Sequence, residues 1–265
     1  MSREYQPLPF SYNIELSDPV PCPYLPNRQE RDLVVSLTQN SPSPNTTHSL
    51  YDNLCQLGFR RNGQHAYKPM CEACQECVPV RVLVNEFNWT KSIRRIMKKN
   101  QDITFALLEP IAKIEHFEIF KNYLMERHHH QIERITFAGY RQWIENAPVA
   151  TKIMEFCRGM EVIGCMIVDI VNDGLSAVYS FYTCRFPSKS LGNFIILSAI
   201  NYTKSIGQPH LYLGYFIKNS PHMDYKSSFS PHQTYSNKNG WQTLEKPSLH
   251  KSTLKKITEN HLQIK

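Results

Sequence analysis

The sequence predicts an α+β fold in two parts, a cysteine-bearing N-terminal module at residues 1–89 and a larger domain at residues 90–265. Three observations lead to this prediction. The first part holds a hairpin turn and a cysteine cluster, and the second part alternates strand and helix patterns. The chain of 265 residues, 41% of them hydrophobic, is also long enough to bury a large core.

The composition indicates the class of binding partner and the cellular compartment. The net charge of +7 favours an acidic partner, of which nucleic acid is the commonest. The start of the chain lacks the pattern of a secretory signal, and no run of about 18 apolar residues occurs, so we expect no membrane span. Eight cysteines in such a chain predict reduced thiols and a cytoplasmic location.

The N-terminal module begins with a proline-rich stretch at residues 1–27, for which we predict irregular structure. A strand is expected at Arg31–Thr38. Thr46 or Thr47 is expected to cap a short helix, because its hydroxyl can accept from the first free backbone N–H groups. Gly58 should end that helix, since glycine adopts the left-handed conformation that follows many helices.

The next stretch concentrates the unusual chemistry of the chain. Asn62-Gly63 predicts a two-residue hairpin turn, and an apolar strand at Val78–Val84 closes the stretch. Between them lie three cysteines with Cys-x2-Cys-x2-Cys spacing, namely Cys71, Cys74 and Cys77. Core packing alone does not explain three neighbouring thiols.

This cysteine spacing is the one with which bacterial ferredoxins begin, but Arg81 stands where the fourth cysteine would be. A four-thiolate site therefore needs a distant ligand, and Cys22 is the candidate. An iron–sulfur cluster and a structural zinc ion both remain open. An empty, redox-sensitive thiol cluster is a third interpretation.

A basic helix follows, and Thr90 is its expected N-cap. Its cations are Lys91, Arg94, Arg95, Lys98 and Lys99. A run of this kind is usually a solvated helix face. Because this one directly follows an arginine-bearing strand, we favour a surface that contacts phosphates.

The larger domain alternates strands and helices. Strand patterns lie at residues 102–109, 152–157, 162–171, 176–183 and 210–216, and helix patterns lie at residues 112–129, 136–144 and 191–205. The closing β-β-β-α-β order is the arrangement of acyl-transfer domains of the N-acetyltransferase type, with helices on a mixed sheet. No glycine-rich pyrophosphate loop precedes the last helix, which weakens a coenzyme A interpretation.

Four stretches together resemble the aminoacyl-tRNA–protein transferase family. They are CPYLPNRQER, GFRRNGQHAYKPMCEACQECVPVR, GLSAVYSFY followed by SLGNF, and YLGYFIKNSPHMDYKSSFSP. The resemblance runs from about Cys22 to Trp241, which is nearly the whole chain. The short length and the form of the cysteine cluster resemble the bacterial branch of the family, the aspartate/glutamate leucyltransferases.

The resemblance implies leucyl-tRNA as the donor, proteins that begin with Asp or Glu as acceptors, and a role in N-degron-directed proteolysis. It also implies an acetyltransferase-type fold whose N-terminal module recognises the acceptor. Eukaryotic relatives use cysteines in both corresponding regions for metal or cluster binding. In this chain Leu25 stands where the second cysteine of the first region would be.

The chemistry of such a transfer fits the residues. Exchange of an ester for an amide is downhill, so catalysis requires no cofactor and no ATP motif. A guanidinium binds a carboxylate with two hydrogen bonds, so arginine is the residue expected to bind the acidic side chain of the acceptor protein. The candidates for substrate binding are Arg60, Arg61, Arg81 and Lys218, those for catalysis are Tyr179, Tyr215, Tyr225 and Lys226, and those for tRNA binding are the five cations of the basic helix.

Three alternatives remain open from the sequence. Arginyl transfer is the nearest, because the residues that would choose leucine over arginine are not identified. A non-catalytic metal-ribbon RNA-binding protein would explain the charge and the cysteines but not the late Tyr-Lys motif. A coenzyme A acetyltransferase would explain the sheet but not the cysteines.

Overall fold

The computed structural model describes residues 12–38, 43–128, 135–218, 220 and 223–243 of the chain. The helices in this part are α1 Pro44–Gln56, α2 Lys91–Lys99, α3 Ile114–His128, α4 Phe137–Glu145 and α5 Leu191–Ser205. The strands are β1 Ile14–Leu16, β2 Val20–Pro21, β3 Gln29–Glu30, β4 Asp32–Ser36, β5 Arg60–Asn62, β6 His65–Pro69, β7 Val78–Leu83, β8 Ile103–Leu108, β9 Thr151–Arg158, β10 Glu161–Val171, β11 Gly174–Tyr182, β12 His210–Phe216, β13 His232–Ser236 and β14 Gly240–Thr243.

The strands form a large sheet, a smaller sheet and a short hairpin. The large sheet has the order β14-β13-β7-β12-β11-β10-β9-β8, and the smaller has the order β1-β4-β6-β5. Strands β11 and β12 are parallel, because α5 crosses over between them, whereas the other pairs of the large sheet are antiparallel. The predicted α+β class with a mixed sheet and helices is thus confirmed.

Apolar side chains on the two faces of the large sheet form separate cores. Helix α5 and the apolar side of α2 cover one face, with Phe194 and Ile196 among the buried residues. Helices α3 and α4 cover the other face through Phe117 and Tyr140. A third core lies under α1, where Tyr51 is fully buried. Because successive side chains of a strand point to opposite faces, the buried strand β10 contributes apolar residues to the cores on both faces.

Several local predictions are confirmed, and two are wrong. The hydroxyls of Thr90 and Thr136 accept hydrogen bonds at the starts of α2 and α4, and Gly58 follows α1 with φ of 82°. Helix α1, however, is capped by Ser43 instead of Thr46 or Thr47, because the helix begins one turn earlier at a proline. The hairpin turn is Gly63-Gln64, since Asn62 still pairs with His65.

The N-terminal third of the chain contributes directly to the large sheet. Strand β7 lies between β12 and β13, far from its neighbours in sequence. The predicted domain boundary at residue 89 stays a prediction. Strand β7 lies before that boundary in the sequence but belongs to the large sheet. Irregular structure was predicted for residues 1–27, but strands β1 and β2 lie there, because β1 pairs with β4 and β2 pairs with β3 across a proline-containing turn. Residues 1–11 of this stretch lie outside the described residues. The predicted helix end at His129 lies outside the described residues.

No helix of the described part combines the length and the apolar character needed to cross a bilayer.

Candidate active site

A cavity of about 860 Å³ opens where two central strands separate. Strands β11 and β12 pair only from Gly174 opposite His210 to Ser176 opposite Tyr212, although both strands continue further. Beyond this point their facing edges have no strand partner among the described residues, and both line the cavity. A register shift beside Gly214, whose φ is 82°, bends β12 at this place. The gap between the two strands gives side chains and ligands access to their backbone groups.

Arg60 lies in the gap between these strands. Its guanidinium donates to the Ser176 hydroxyl at 2.9 Å and to the Ala177 carbonyl, both on β11. A Cβ on Gly214 would stand only 3.1 Å from the Arg60 Nε, so glycine makes room for the side chain. Arg60 is 6% exposed, and no carboxylate of the described residues pairs with it. A buried cation without an anion is costly and is suited to binding an anionic ligand.

Arg61 is also buried, but it is already paired. Its Nε and Nη2 each donate at 2.7 Å to the carboxylate of Asp169 on β10, and its Nη1 donates to the Gly63 carbonyl at 2.8 Å. Thr151 donates to the same carboxylate at 2.6 Å. The Arg61 side chain touches the cavity wall, but acceptors of the protein occupy its donors. This geometry makes Arg61 a bridge between the two sheets.

The other two predicted substrate-binding residues lie outside the cavity lining. Arg81 donates to Gln233 and to the Tyr212 hydroxyl, and its guanidinium lies 4.5 Å from the centre of the Trp241 ring. Asp173 is its ion-pair partner at 3.4 Å. Lys218 is exposed and does not line the cavity. Of the four predicted residues, the structure brings only Arg60 and Arg61 to the cavity.

All four predicted catalytic residues line the cavity, namely Tyr179, Tyr215, Tyr225 and Lys226. The Tyr215 hydroxyl is within hydrogen-bonding distance of the Gly58 and Tyr67 carbonyls, at 3.1 and 3.0 Å. Burial raises the pKa of Tyr179 to about 12, so its hydroxyl stays protonated and can donate. Burial and the neighbouring Arg60 lower the pKa of Lys226 to about 7.

Aromatic rings form one wall of the cavity. Tyr123 packs against Tyr182 with ring centroids 5.0 Å apart, and Trp143 meets Tyr179 edge to face at 5.9 Å. The start of α5 also lines the cavity, and a Cβ on Gly192 would be 2.8 Å from the Tyr182 hydroxyl. The described residues that line the cavity include no Asp or Glu. The lining therefore combines aromatic rings with the buried guanidinium of Arg60.

The basic helix α2 is anchored beside this cavity. All five of its predicted tRNA-binding cations are exposed, whereas Ile93, Ile96 and Met97 pack on the core. At its C-terminal end, Asn100 donates to the Lys189 carbonyl at 2.9 Å, and the Lys189 ammonium donates to the Lys99 carbonyl at 2.9 Å. Pro187 and Ser190, on either side of Lys189, line the cavity.

The four predicted metal-binding cysteines lie near one another. Arg28, on the turn after Cys22, donates to the Cys74 sulfur at 2.9 Å. Burial, together with the charges of Cys71, Cys22 and Cys74, raises the pKa of Cys77 to about 12. Among the described residues, however, no three His, Cys, Asp or Glu side chains are arranged to hold a metal ion. No chemical step proposed for this cavity depends on a metal ion.

The sequence prediction missed several residues that line the cavity. Tyr24, Asn62, Tyr123 and Trp143 belong to this group. Tyr24 lies within the CPYLPNRQER stretch and Asn62 within the hairpin, so the family motifs contained a signal for both. Tyr123 and Trp143 lie on helices α3 and α4, where helical spacing makes them indistinguishable from core residues.

Two family models match the chain. The model described as "Arginine-tRNA-protein transferase, N terminus" matches residues 20–95, and the one described as "Arginine-tRNA-protein transferase, C terminus" matches residues 115–236.

Curated relatives match over most of their length. A protein of Granulibacter bethesdensis named "Aspartate/glutamate leucyltransferase" is 40% identical and covers 84% of this chain and 82% of its own. A protein of the same name from Rhodopseudomonas palustris strain BisB5 is 38% identical and covers 85% and 90%. Among solved structures, FemX is similar with a TM-score of 0.41 at 9% identity, over 82% of this chain and 84% of its own. At that TM-score the likeness carries no argument.

Proposed function

The chain belongs to the arginine-tRNA-protein transferase family, and on that premise we propose that it transfers leucine from leucyl-tRNA to proteins that begin with Asp or Glu. The acceptor atom is the N-terminal α-amine, and the product is marked for N-degron proteolysis. The observation that carries this proposal is the cavity, which combines an aromatic wall with a buried arginine that has no carboxylate partner among the described residues. The cytoplasm is the proposed location, because charged tRNA is the donor.

The buried guanidinium of Arg60 in the cavity lining suits an acidic acceptor. Arg60 is buried there without a carboxylate partner among the described residues, so the side chain of an incoming Asp or Glu would supply the missing anion. Arg61 would act indirectly, since Asp169 already occupies its guanidinium. Whether Arg81 and Lys218 contact the acceptor stays a prediction, and their place outside the cavity lining makes Arg60 the first residue to test.

The lining of the cavity favours leucine over arginine as the transferred residue. An arginyl side chain buried in the cavity would require an anionic or strongly polar partner. The lining residues that the structure describes include no carboxylate, and they do include Arg60, whose charge would repel a guanidinium. A leucyl side chain needs only apolar contact, which the aromatic wall supplies.

Catalysis in this cavity would rest on positioning and on hydrogen-bond donors. The ester carbonyl develops negative charge as the amine attacks, and protonated hydroxyls can stabilise that charge. Tyr179 is suited to this role, because its raised pKa keeps the hydroxyl proton in place. Tyr225 lines the same cavity and is 42% exposed, so it stands where the tRNA end would enter. The aromatic rings also offer stacking surfaces for the terminal adenine.

One assay tests the proposed reaction. The protein is incubated with radiolabelled Leu-tRNA, Arg-tRNA or acetyl-CoA and a peptide that begins with Asp. We expect transfer from Leu-tRNA alone, and loss of transfer when the peptide begins with Asn or carries a blocked amine. Transfer from Arg-tRNA would instead establish arginyl transfer, and binding of tRNA without any transfer would make the protein an RNA-binding module.

The basic helix should make tRNA binding strongly dependent on salt. We expect the triple substitution of Arg94, Arg95 and Lys98 by Ala to reduce the slope of log affinity against log salt by about three, roughly one for each lost phosphate contact. A matched triple of exposed cations outside the cavity lining, Arg141, Lys204 and Lys238, should leave the slope unchanged. Filter binding across a salt series measures both. Equal slopes for the two triple variants would mean that α2 is a solvated helix face that does not contact the tRNA phosphates.

We propose separately that the cysteine cluster binds a metal. This proposal is supported by the proximity of four thiols, and the ion would be zinc or the iron of a cluster. We expect elemental analysis after anaerobic purification to find one of these metals, and Cys74→Ser to lose it together with thermal stability. A metal-free chain with full activity and the wild-type melting temperature would contradict the proposal.

A further inference from the structure

Lys226 is a buried lysine that lines the active-site cavity. It lies on the short 3-10 helix at Asp224–Ser228 and is 8% exposed. Its Nζ is 2.9 Å from the Tyr215 carbonyl oxygen and 3.3 Å from the Met223 sulfur. No carboxylate of the described residues pairs with it, and the positive charge of Arg60 acts on it.

The hydrogen bonds of Lys226 match the neutral amine. A neutral lysine nitrogen carries two N–H bonds and one lone pair, whereas the ammonium carries three N–H bonds. The Tyr215 carbonyl and the Met223 sulfur are two acceptors, one for each N–H of the neutral form. In the ammonium form a third N–H would have no acceptor in the described part of the chain. In the neutral form the remaining position of the nitrogen is a lone pair that can accept a proton.

We propose that Lys226 is the proton acceptor of the transfer, taking one proton from the α-ammonium group of the acceptor protein. This inference rests on the proposed function of the cavity. Once the proton has moved to the Lys226 Nζ, the α-nitrogen attacks the ester carbonyl and a C–N bond forms. The C–O bond to the ribose then breaks, and the ribose oxygen leaves with its electron pair and takes a proton from the attacking nitrogen. Lys226 returns its proton to water.

The electrostatics around Lys226 agree with this role. Burial, together with the charge of Arg60 on β5, lowers the pKa of the ammonium to about 7. Cys77, which precedes β7, acts in the opposite direction. An α-ammonium has a pKa of about 8, so the two nitrogens are closely matched, which favours proton transfer at neutral pH. Because the folded protein lowers the pKa, Lys226 accepts protons above about pH 7 and loses this capacity below it.

Two substitutions and a modified acceptor test the proposal. Lys226→Arg keeps the positive charge but cannot give up its proton, and Lys226→Met keeps a similar volume without a charge. We expect both variants to lose about 10²–10⁴-fold in kcat/KM with a peptide that begins with Asp. Lys204→Arg, an exposed substitution on α5, should retain wild-type activity. Melting temperatures and the affinity for Leu-tRNA check that each variant is folded.

A peptide whose N-terminal amine is replaced by an aminooxy group distinguishes proton removal from substrate binding. That group is already neutral near pH 7, so both variants should use it at nearly the wild-type rate. An active Lys226→Arg with the ordinary peptide would overturn the proposal and would make Lys226 a cation that holds the carboxylate. An equal loss with both peptides would also overturn it. Absence of transfer by the wild-type protein would instead contradict the proposed function itself.

Discussion

Asp169→Ala should destabilise the protein by about 3–5 kcal/mol, which is the cost of leaving one partner of a buried ion pair uncompensated. The Arg61 and Asp169 side chains are 2% and 0% exposed, and both guanidinium–carboxylate contacts are 2.7 Å long. Removal of the carboxylate leaves the Arg61 guanidinium buried without an anion and also removes the acceptor of Thr151. Urea unfolding followed by far-UV circular dichroism measures the change.

Two further variants make this expectation specific. Arg141→Ala removes a surface pair with Glu145 in which the arginine is 64% exposed, and it should change stability by less than about 1 kcal/mol. The double variant Arg61→Met, Asp169→Leu replaces the pair by apolar groups and should recover much of the stability lost by Asp169→Ala. A double variant as unstable as the single one would mean that the pair matters through its shape instead of its charge.

Arg60→Ala should lower kcat/KM for a peptide that begins with Asp by about 1.5–3 kcal/mol, which is roughly 10–150-fold. The physical reason is the loss of a charge-assisted contact with the acceptor carboxylate in a buried site. The effect should be much smaller for a peptide that begins with Gln, because an amide forms no ion pair. Kinetics over a peptide series beginning with Asp, Glu, Asn and Gln measure this discrimination.

Arg81 provides the matched comparison for Arg60. Both arginines belong to the same family motif, but only Arg60 lines the cavity. We expect Arg81→Ala to lower stability, since its contacts with Gln233 and Tyr212 are lost, and to leave the discrimination between Asp and Gln intact. If Arg60→Ala still discriminates between Asp and Gln as the wild type does, Arg60 does not bind the acceptor carboxylate. If only Arg81→Ala loses this discrimination, Arg81 has that role.

The sequence predicts the fold well where the signals are local. Helices α2 and α4 begin at threonine caps, because a hydroxyl satisfies N–H groups within one turn of the chain. The crossover by α5 follows from a helix between two strands of the same sheet. Strands β13 and β14 were not predicted, because their short polar sequence becomes a strand only through pairing with each other and with β7.

The sequence predicts the composition of the site better than its geometry. Adjacent residues of a strand point to opposite sides, so Arg60 and Arg61 meet different partners. The partner of Arg61 is 108 residues away in the chain, and no local pattern identifies Asp169 as that partner. The aromatic wall was missed for the same reason, since Tyr123 and Trp143 reach the cavity from helices that the sequence predicts only as core elements.

The position of β7 has a consequence for the order of assembly during synthesis. Its two neighbours in the sheet begin at His210 and His232, well over a hundred residues after β7 ends at Leu83. A ribosome that adds roughly 5–20 residues per second makes those strands on the order of ten seconds later. Throughout that interval the apolar side chains of β7 have no sheet to enter. The nascent chain thus exposes this apolar segment until the second half of the protein has been made.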